Sequence, residues 1–291
     1  MTAHHASGPA LLGNRRFVFI IGSPRSGTTW LHRMIEEHPG VATAPAELTL
    51  FSRYLAPADG GYSLERRHMD RGDWKQGLPL LYDQSEFDAG LREIIEAVYG
   101  RVLALNPQAS IILDKHPKYT YHLPLIERLV PDARFIHVLR DGRDVVVSML
   151  SARKRRGFGA GDDPSAAREW ADSVRMAREH GARVGGDRWV ELRYEDLMQD
   201  TAELLGKVFA FCGLPADREM CERIAGKYHI SQNQVSSGDS GLNAQRAVAG
   251  GIWSSRLTLE QRYVIDRVAG RRLAETGYEE PGWGATGWMD R

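Results

Sequence analysis

Residues 22–29 have the residue types of a loop that binds a phosphate group. They have the sequence Gly-Ser-Pro-Arg-Ser-Gly-Thr-Thr and follow an apolar segment of strand length. Backbone N–H groups at the start of a helix, together with the helix dipole, bind anions. Loops that bind nucleoside triphosphates have the frame G-x-x-x-x-G-K-[ST], and here Thr28 stands in place of the lysine. The segment therefore predicts a phosphate site that is poorly equipped for Mg-triphosphate. A tight strand-to-helix turn without a ligand is the alternative.

Arg140 and Ser148 are candidates for a second anion site. Arg140 directly follows the apolar segment 133–139, and Ser148 lies in the next predicted helix. An arginine at a strand end can bind a phosphate through charge-assisted hydrogen bonds, and a serine hydroxyl can add another. A structural ion pair between Arg140 and Asp144 is the alternative interpretation.

The elements that must position these residues are strands alternating with helices. The predicted strands are residues 17–21, 110–115, 133–139 and part of 188–197, and the predicted helices are 28–37, 87–105, 121–130, 144–152, 164–183, 201–212, 217–227 and 259–276. Residues 51–90 are rich in Gly, Asp and aromatic residues and are predicted to form loops and short helices. This alternation is typical of an α/β fold with three layers: a mostly parallel central sheet with helices on both faces and a nucleotide-binding core like that of the P-loop proteins. Because ligands of such sheets bind at the carboxyl ends of the strands, Ser23, Lys115 and Arg140 should converge on one crevice.

The amino-acid composition argues against several classes of protein. Lys and Arg number 38, as do Asp and Glu, so no overall field attracts nucleic acid or an anionic membrane. The two cysteines are too few for a disulfide framework, and no apolar segment approaches the roughly 20 residues of a membrane span. We therefore expect a cytoplasmic protein with a flexible lead over residues 1–14 and a single domain over 15–291. No sequence feature indicates an oligomeric state.

Three motifs resemble those of the sulfotransferases that use 3′-phosphoadenosine 5′-phosphosulfate (PAPS). They are PRSGTTW at 24–30, RDGRDVVVS at 140–148 and LRYEDL at 192–197. The resemblance extends over most of the chain and accounts for the missing lysine, because PAPS has no triphosphate and the family needs no metal. It implies that the 5′-phosphosulfate is bound by Arg25, Ser26, Gly27, Thr28 and Thr29. It further implies that Trp30 stacks on the adenine, that Tyr194 contacts the adenine edge and that Arg140 and Ser148 bind the 3′-phosphate.

The resemblance also implies a C-terminal loop that closes over the cofactor, which we assign to residues 230–256. Arg246 and the backbone N–H groups of Ala249, Gly250 and Gly251 are the expected contacts with the 3′-phosphate. The sequence here, QRAVAGG at 245–251, departs from the family's Arg-Lys-Gly pattern, so the register of this loop stays open.

Sulfuryl transfer needs a cation at the leaving oxygen and a base for the acceptor hydroxyl. Arg25 and Lys115 are the candidate cations. A general base typically contributes about 10²–10⁴ in rate, and Glu47 and His116 compete for this role. The resemblance to the branch with a glutamate base favours Glu47. Neighbouring side chains on a strand point to opposite faces, so Lys115 and His116 should not both face the site unless the strand has already ended.

The expected function is the transfer of a sulfuryl group from PAPS to a hydroxyl acceptor, without a metal. The acceptor is a small molecule or a carbohydrate, and segments 48–90 and 153–165 are expected to shape its pocket. The alternatives are a P-loop-type small-molecule kinase and a non-catalytic protein that binds PAPS or its product, adenosine 3′,5′-bisphosphate (PAP). A kinase would need a second magnesium ligand, for which Asp114 is the candidate.

Overall fold

A five-stranded parallel sheet forms the centre of the protein, as seen in a computed structural model that describes residues 12–13, 15–156, 161–229 and 251–278. The strands are β1 (Arg16–Ile21), β2 (Val41–Thr43), β3 (Ile111–Lys115), β4 (Arg134–Leu139) and β5 (Trp189–Arg193). Their order across the sheet is β2-β3-β1-β4-β5, and each neighbouring pair is parallel. The loop after β1 therefore lies between the end of β3 on one side and the end of β4 on the other.

Helices cover both faces of the sheet. They are α1 (Thr28–Ile35), α2 (Ala56–Arg71), α3 (Gln84–Leu105), α4 (Leu123–Leu129), α5 (Gly142–Arg156), α6 (Asp163–Val184), α7 (Tyr194–Gln199), α8 (Thr201–Cys212), α9 (Arg218–Lys227), α10 (Trp253–Arg256) and α11 (Leu259–Glu275). Phe17, Phe19 and Ile21 of β1 pack with α3 and α4 on one face. Val18 and Ile20 pack with α1, α8 and α9 on the other. This alternation buries a continuous apolar strand on both sides and confirms the predicted three-layer α/β fold.

The segment 51–90 is more regular than the sequence predicted. A π-helical turn, Leu50–Leu55, leads directly into the 16-residue helix α2. Gly60 and Gly61 disfavour a helix, but both face open space, and the helix is held by tertiary contacts instead. The buried ring of Tyr62 stacks on Phe87 of α3 with ring centroids 4.1 Å apart. The prediction of loops and short helices was wrong here because these contacts outweigh local propensity.

Other differences concern short elements. The three-residue edge strand β2 was not predicted, since it pairs only with β3 and has too few residues to show a pattern. The predicted helix 121–130 is divided into the 3-10 turn Pro117–His122 and α4. Tyr194, inside the segment 188–197 that was predicted to contain a strand, begins α7 directly after β5.

Two predicted segments fall largely outside the described residues. Of the lead 1–14, only residues 12 and 13 are described, and Leu12 packs partly against the core. Of the loop 230–256, only residues 251–256 are described, and α10 occupies most of them. Cys212 and Cys221 are buried free thiols. Among the described helices, none combines the length and the apolar character needed to cross a membrane.

Candidate active site

The loop between β1 and α1 forms a cradle whose geometry suits an anion. Arg25 and Gly27 both adopt positive φ angles, 71° and 101°, and the turn is closed by Ser26, whose N–H and hydroxyl both donate to the Ser23 carbonyl. No side chain caps the N-terminus of α1, where the first N–H groups have no partner within the helix. The positive end of the α1 dipole lies at the same point.

Arg25, Arg140 and Ser148 come together beside this cradle on the β4 side. Arg140 donates to the Arg25 carbonyl at 3.1 Å, and the Arg25 Nε donates to the Ser148 hydroxyl at 3.0 Å. Arg140 is only 8% exposed, and its Nε has no hydrogen-bond partner in the described part of the chain. A buried guanidinium with an unused donor is suited to a phosphate. The alternative ion pair with Asp144 is long, at 3.9 Å.

Trp30 and Tyr194 form an aromatic wall next to the same loop. Their ring centroids lie 5.9 Å apart in an edge-to-face arrangement, and the Arg140 guanidinium stacks over the Tyr194 ring at 4.5 Å. Burial raises the pKa of the Tyr194 hydroxyl. Gly27 packs so closely on this ring that an added Cβ would lie 2.4 Å from it. The Trp30 indole N–H donates to the Tyr228 carbonyl at the end of α9, which fixes the plane of the indole.

Lys115 and Glu47 meet on the opposite, β3 side of the loop. The Lys115 ammonium donates to the Thr29 hydroxyl at 2.9 Å and forms a short ion pair with the Glu47 carboxylate. The Lys115 side chain is 6% exposed, whereas that of Glu47 is 42% exposed. Lys115 is therefore not a surface lysine, and it links the cradle to a carboxylate that reaches solvent.

His116 lies in the same cluster. Its Nε2 is 3.5 Å from the second oxygen of Glu47, and its Nδ1 is 3.4 Å from the Ser52 hydroxyl. Burial lowers the pKa of His116 although the Glu47 carboxylate opposes this shift. Lys115 and His116 both reach Glu47 because β3 ends at Lys115, so the strand alternation that would separate their side chains no longer applies.

Asp114 has a structural role in this geometry. One carboxylate oxygen accepts hydrogen bonds from the Tyr99 and Tyr119 hydroxyls at 2.6 and 2.9 Å, and the other accepts from the Lys115 backbone N–H at 2.7 Å. Burial raises the pKa of this carboxyl. These bonds engage both oxygens and hold the end of β3, so Asp114 is not set up as a magnesium ligand. No group of three or more His, Cys, Asp or Glu side chains within the described ranges could hold a metal.

A cavity of about 600 Å³ opens beside Lys115 and Glu47. Its walls are α1, residues 43–47 and the end of α9, and His116 does not line it. None of its lining residues comes from 48–90 or 153–165, the segments that we expected to shape an acceptor pocket. Of the aromatic residues in 48–90, Phe51 and Tyr62 are buried in the core, while Tyr54 is 64% exposed.

The expected contacts in the C-terminal loop are only partly described. Arg246, Ala249 and Gly250 lie outside the described residues. The Gly251 N–H donates to one oxygen of Asp144, and the Trp253 N–H donates to the other. Asp144 thus anchors residues 251–253 to α5, a contact that nothing in the sequence pattern indicated.

Sequence reasoning also missed the residues that line the cavity from α1. The His32 imidazole Nε2 lies 2.9 Å from the Thr43 hydroxyl, and burial lowers the pKa of His32 to about 4. The helical spacing from Thr29 to His32 could have indicated a shared face. The approach of residues 43–47 to that face depends on tertiary packing.

Comparisons with known proteins point to one family. A family model described as the sulfotransferase family matches residues 18–218. The protein-tyrosine sulfotransferase of Drosophila melanogaster is 26% identical over 205 residues, which cover 68% of this chain and 38% of the fly protein. The omega-hydroxy-beta-dihydromenaquinone-9 sulfotransferase Stf3 of Mycobacterium bovis is 25% identical over an alignment of 308 positions, gaps included, that covers 90% of this chain and 75% of that protein.

Solved structures show the same fold. The mouse sulfotransferase SULT7A1, complexed with PAP, aligns with a TM-score of 0.55 at 18% identity, covering 89% of this chain and 84% of the mouse chain. The family model covers more than half of the 291 residues and includes the chain from Val18 of β1 through β5, with the loop, Lys115, Arg140 and Tyr194. This chain therefore belongs to the sulfotransferase family.

Proposed function

We propose that the protein is an O-sulfotransferase that transfers a sulfuryl group from PAPS to a hydroxyl acceptor. The observation that carries the proposal is the pair of contacts made by Lys115, with Thr29 of the loop and with Glu47. One ammonium group thereby joins an anion cradle to a carboxylate that can act as a base. Membership of the sulfotransferase family and the PAP bound to the mouse neighbour support PAPS as the donor.

In this proposal the nucleotide lies along the β4 side of the loop. The 5′-phosphosulfate is held by N–H groups and hydroxyls at the start of α1, from Ser26, Gly27, Thr28 and Thr29. The adenine lies against the rings of Trp30 and Tyr194. Arg140 and Ser148 bind the 3′-phosphate, and the unused Nε of Arg140 supports this role. The contributions of Arg246, Ala249 and Gly250 stay predictions from the family resemblance, whereas the Gly251 N–H donates to Asp144 in this structure.

The reaction is an in-line displacement at sulfur. The acceptor oxygen bonds to sulfur while the bond from sulfur to the bridging phosphate oxygen breaks, and PAP leaves with the electron pair. Lys115 and Arg25 stabilise the charge that develops on the bridging oxygen. Since the loop and these two cations provide the positioning and the charge, the proposal needs no metal, and transfer should continue in the presence of EDTA.

Glu47 is the proposed base that takes the acceptor proton. It lines the open cavity with 42% of its side chain exposed, whereas His116 is 12% exposed and does not line the cavity. His116 and Lys115 instead hold the two carboxylate oxygens in place. With burial keeping the pKa of His116 low, the imidazole is neutral at pH 7 and does not compete with Lys115 as a cation.

The deciding experiment measures binding and transfer separately. Calorimetry should give tighter binding of PAP than of AMP or ATP, and labelled PAPS should transfer its sulfur to at least one hydroxyl compound of a broad panel. Phosphoryl transfer from Mg-ATP would indicate the kinase alternative. Tight PAP binding without transfer to any acceptor would indicate the non-catalytic alternative. Equal affinity for PAP and AMP would contradict the proposed 3′-phosphate site.

A further inference from the structure

The cavity beside Lys115 and Glu47 lies where an in-line acceptor must enter. The order β3-β1-β4 places Arg140 and Lys115 on opposite sides of the phosphate loop. An in-line displacement places the attacking and leaving oxygens on opposite sides of sulfur. With the 3′-phosphate bound at Arg140, the acceptor approaches from the β3 side, where the cavity exposes the Glu47 carboxylate.

The lining of the cavity is hydrophilic. Its polar contributors from α1 and the adjoining segment are Thr29, His32, Arg33, Glu36, Thr43 and Glu47. Arg33 and Glu36 are exposed at the wall, and His32 is neutral above a pKa of about 4 because it is buried. The apolar contribution is small, since between Thr43 and Glu47 it consists of Ala44, Pro45 and Ala46.

This lining discriminates between classes of acceptor. Ligand pockets for apolar molecules are lined mainly by hydrophobic and aromatic side chains, and covering Arg33 and Glu36 with an apolar acceptor would desolvate charges without compensation. A saccharide offers several hydroxyls to such groups, and the half-buried Tyr228 also lines the cavity. The exposed apolar residues Leu78, Leu80 and Leu81 do not line the cavity.

We propose that this cavity is the acceptor site and that the acceptor is a saccharide, selected by hydrogen bonds to Arg33 and Glu36. The inference rests on the proposed sulfuryl transfer. It moves the acceptor site from segments 48–90 and 153–165 to the groove between α1 and residues 43–47. Arg33 and Glu36 act on binding of the acceptor and have no contact with the nucleotide.

Binding is tested first, on the full chain saturated with PAP. Saturation-transfer NMR compares glucose, galactose, N-acetylglucosamine, maltose and lactose with 4-nitrophenol, dodecanol and a tyrosine-containing peptide. We expect saturation transfer from the protein to at least one saccharide, and sulfation of that saccharide by labelled PAPS. If no saccharide binds, or if only the phenol, the alcohol or the peptide is sulfated, the inference is wrong while the proposed sulfuryl transfer stands. If PAP itself does not bind, the proposed function fails, and the inference fails with it.

Variants then locate the site. Arg33→Ala and Glu36→Ala should each raise the KM for the bound saccharide by ~10-fold, as expected for loss of a charged hydrogen bond. Ala46→Trp, at an exposed loop position, should fill the cavity and abolish saccharide binding. Arg66→Ala, at an exposed arginine of α2 that does not line the cavity, is the matched control. It should change neither the KM for the saccharide nor its binding.

The affinity for PAP shows whether these effects arise from binding of the acceptor or from binding of the nucleotide. It should be the same in all four variants and in the wild type. A parallel loss of PAP affinity in Arg33→Ala and Ala46→Trp would mean that the cavity holds part of the nucleotide, and an unchanged saccharide KM in both would mean that the acceptor binds elsewhere. Either result overturns the inference.

Discussion

Arg25 and Ser148, which are 123 residues apart in the sequence, are joined by a hydrogen bond of 3.0 Å from the guanidinium Nε to the hydroxyl. The two predicted anion sites are therefore contiguous, because an arginine of the first contacts a serine of the second. Arg140 strengthens this connection through its bond to the Arg25 carbonyl. A hydroxyl that accepts from Arg25 still has its own proton to donate to a phosphate, so the contact is compatible with nucleotide binding.

Replacing Arg140 should remove the preference for a 3′-phosphate. Arg140→Ala should weaken PAP binding by ~10–100-fold, the equivalent of about 1.5–3 kcal/mol for a charged hydrogen bond, while AMP binding changes little. Calorimetry with both nucleotides measures the difference. Arg175→Ala, at an arginine of α6 with 41% of its side chain exposed, is the control. An equal loss for PAP and AMP would show that Arg140 supports the fold or the 5′ site instead.

Removing the charge of Glu47 should slow sulfuryl transfer without weakening the binding of the nucleotide. Glu47→Gln should lower kcat by about 10²–10⁴-fold, the range for a lost general base, with PAP affinity unchanged. Glu93→Gln, at an exposed glutamate of α3, is the matched control. His116→Ala should have a smaller effect on kcat, since His116 positions Glu47. Near-normal turnover in Glu47→Gln together with a large loss in His116→Ala would assign the base to His116.

Two glycine substitutions should change stability in opposite directions. Gly27→Ala should destabilise the protein by at least ~2 kcal/mol, because φ is 101° there and the new Cβ would collide with Tyr194. Gly60→Ala, in an open position of α2, should stabilise it by about 0.5–1 kcal/mol. Urea denaturation measures both changes. A neutral Gly27→Ala would mean that the loop relaxes at little cost.

Stability should depend on pH through His32. Its pKa is lowered from 6.5 to about 4, first by burial and then by the Lys115 charge. The unfolded state therefore takes up a proton at higher pH than the folded state, and the stabilising contribution is complete above pH 6.5 and is lost as the pH falls towards 4. The loss is about 3 kcal/mol. Urea denaturation between pH 4 and 7 should show a steeper decline for the wild type than for His32→Gln, and parallel curves would contradict the assignment.

Local patterns were sufficient for most of the large elements and for the residues at the strand ends. β5, which contains Glu191 and Arg193, was predicted only as part of the segment 188–197. Continuous apolar segments are typical of parallel strands that are covered on both faces, so β1, β3 and β4 and the convergence of Ser23, Lys115 and Arg140 followed from sequence. The short strand β2 and helix α2 did not, because one depends on pairing with β3 and the other on the contact between Tyr62 and Phe87.

The sequence by itself predicted the loop after β1 as an anion site, because glycines, hydroxyls and a helix start act through neighbouring backbone atoms. Only the tertiary structure decided which side chains lie opposite that loop. Lys115 reaches both Thr29 and Glu47 because parallel pairing of β1 and β3 brings their ends together. The cavity also exists only in the fold, since α1 and residues 43–47 are packed side by side by the sheet, and side-chain packing across the chain leaves no local signal in the sequence.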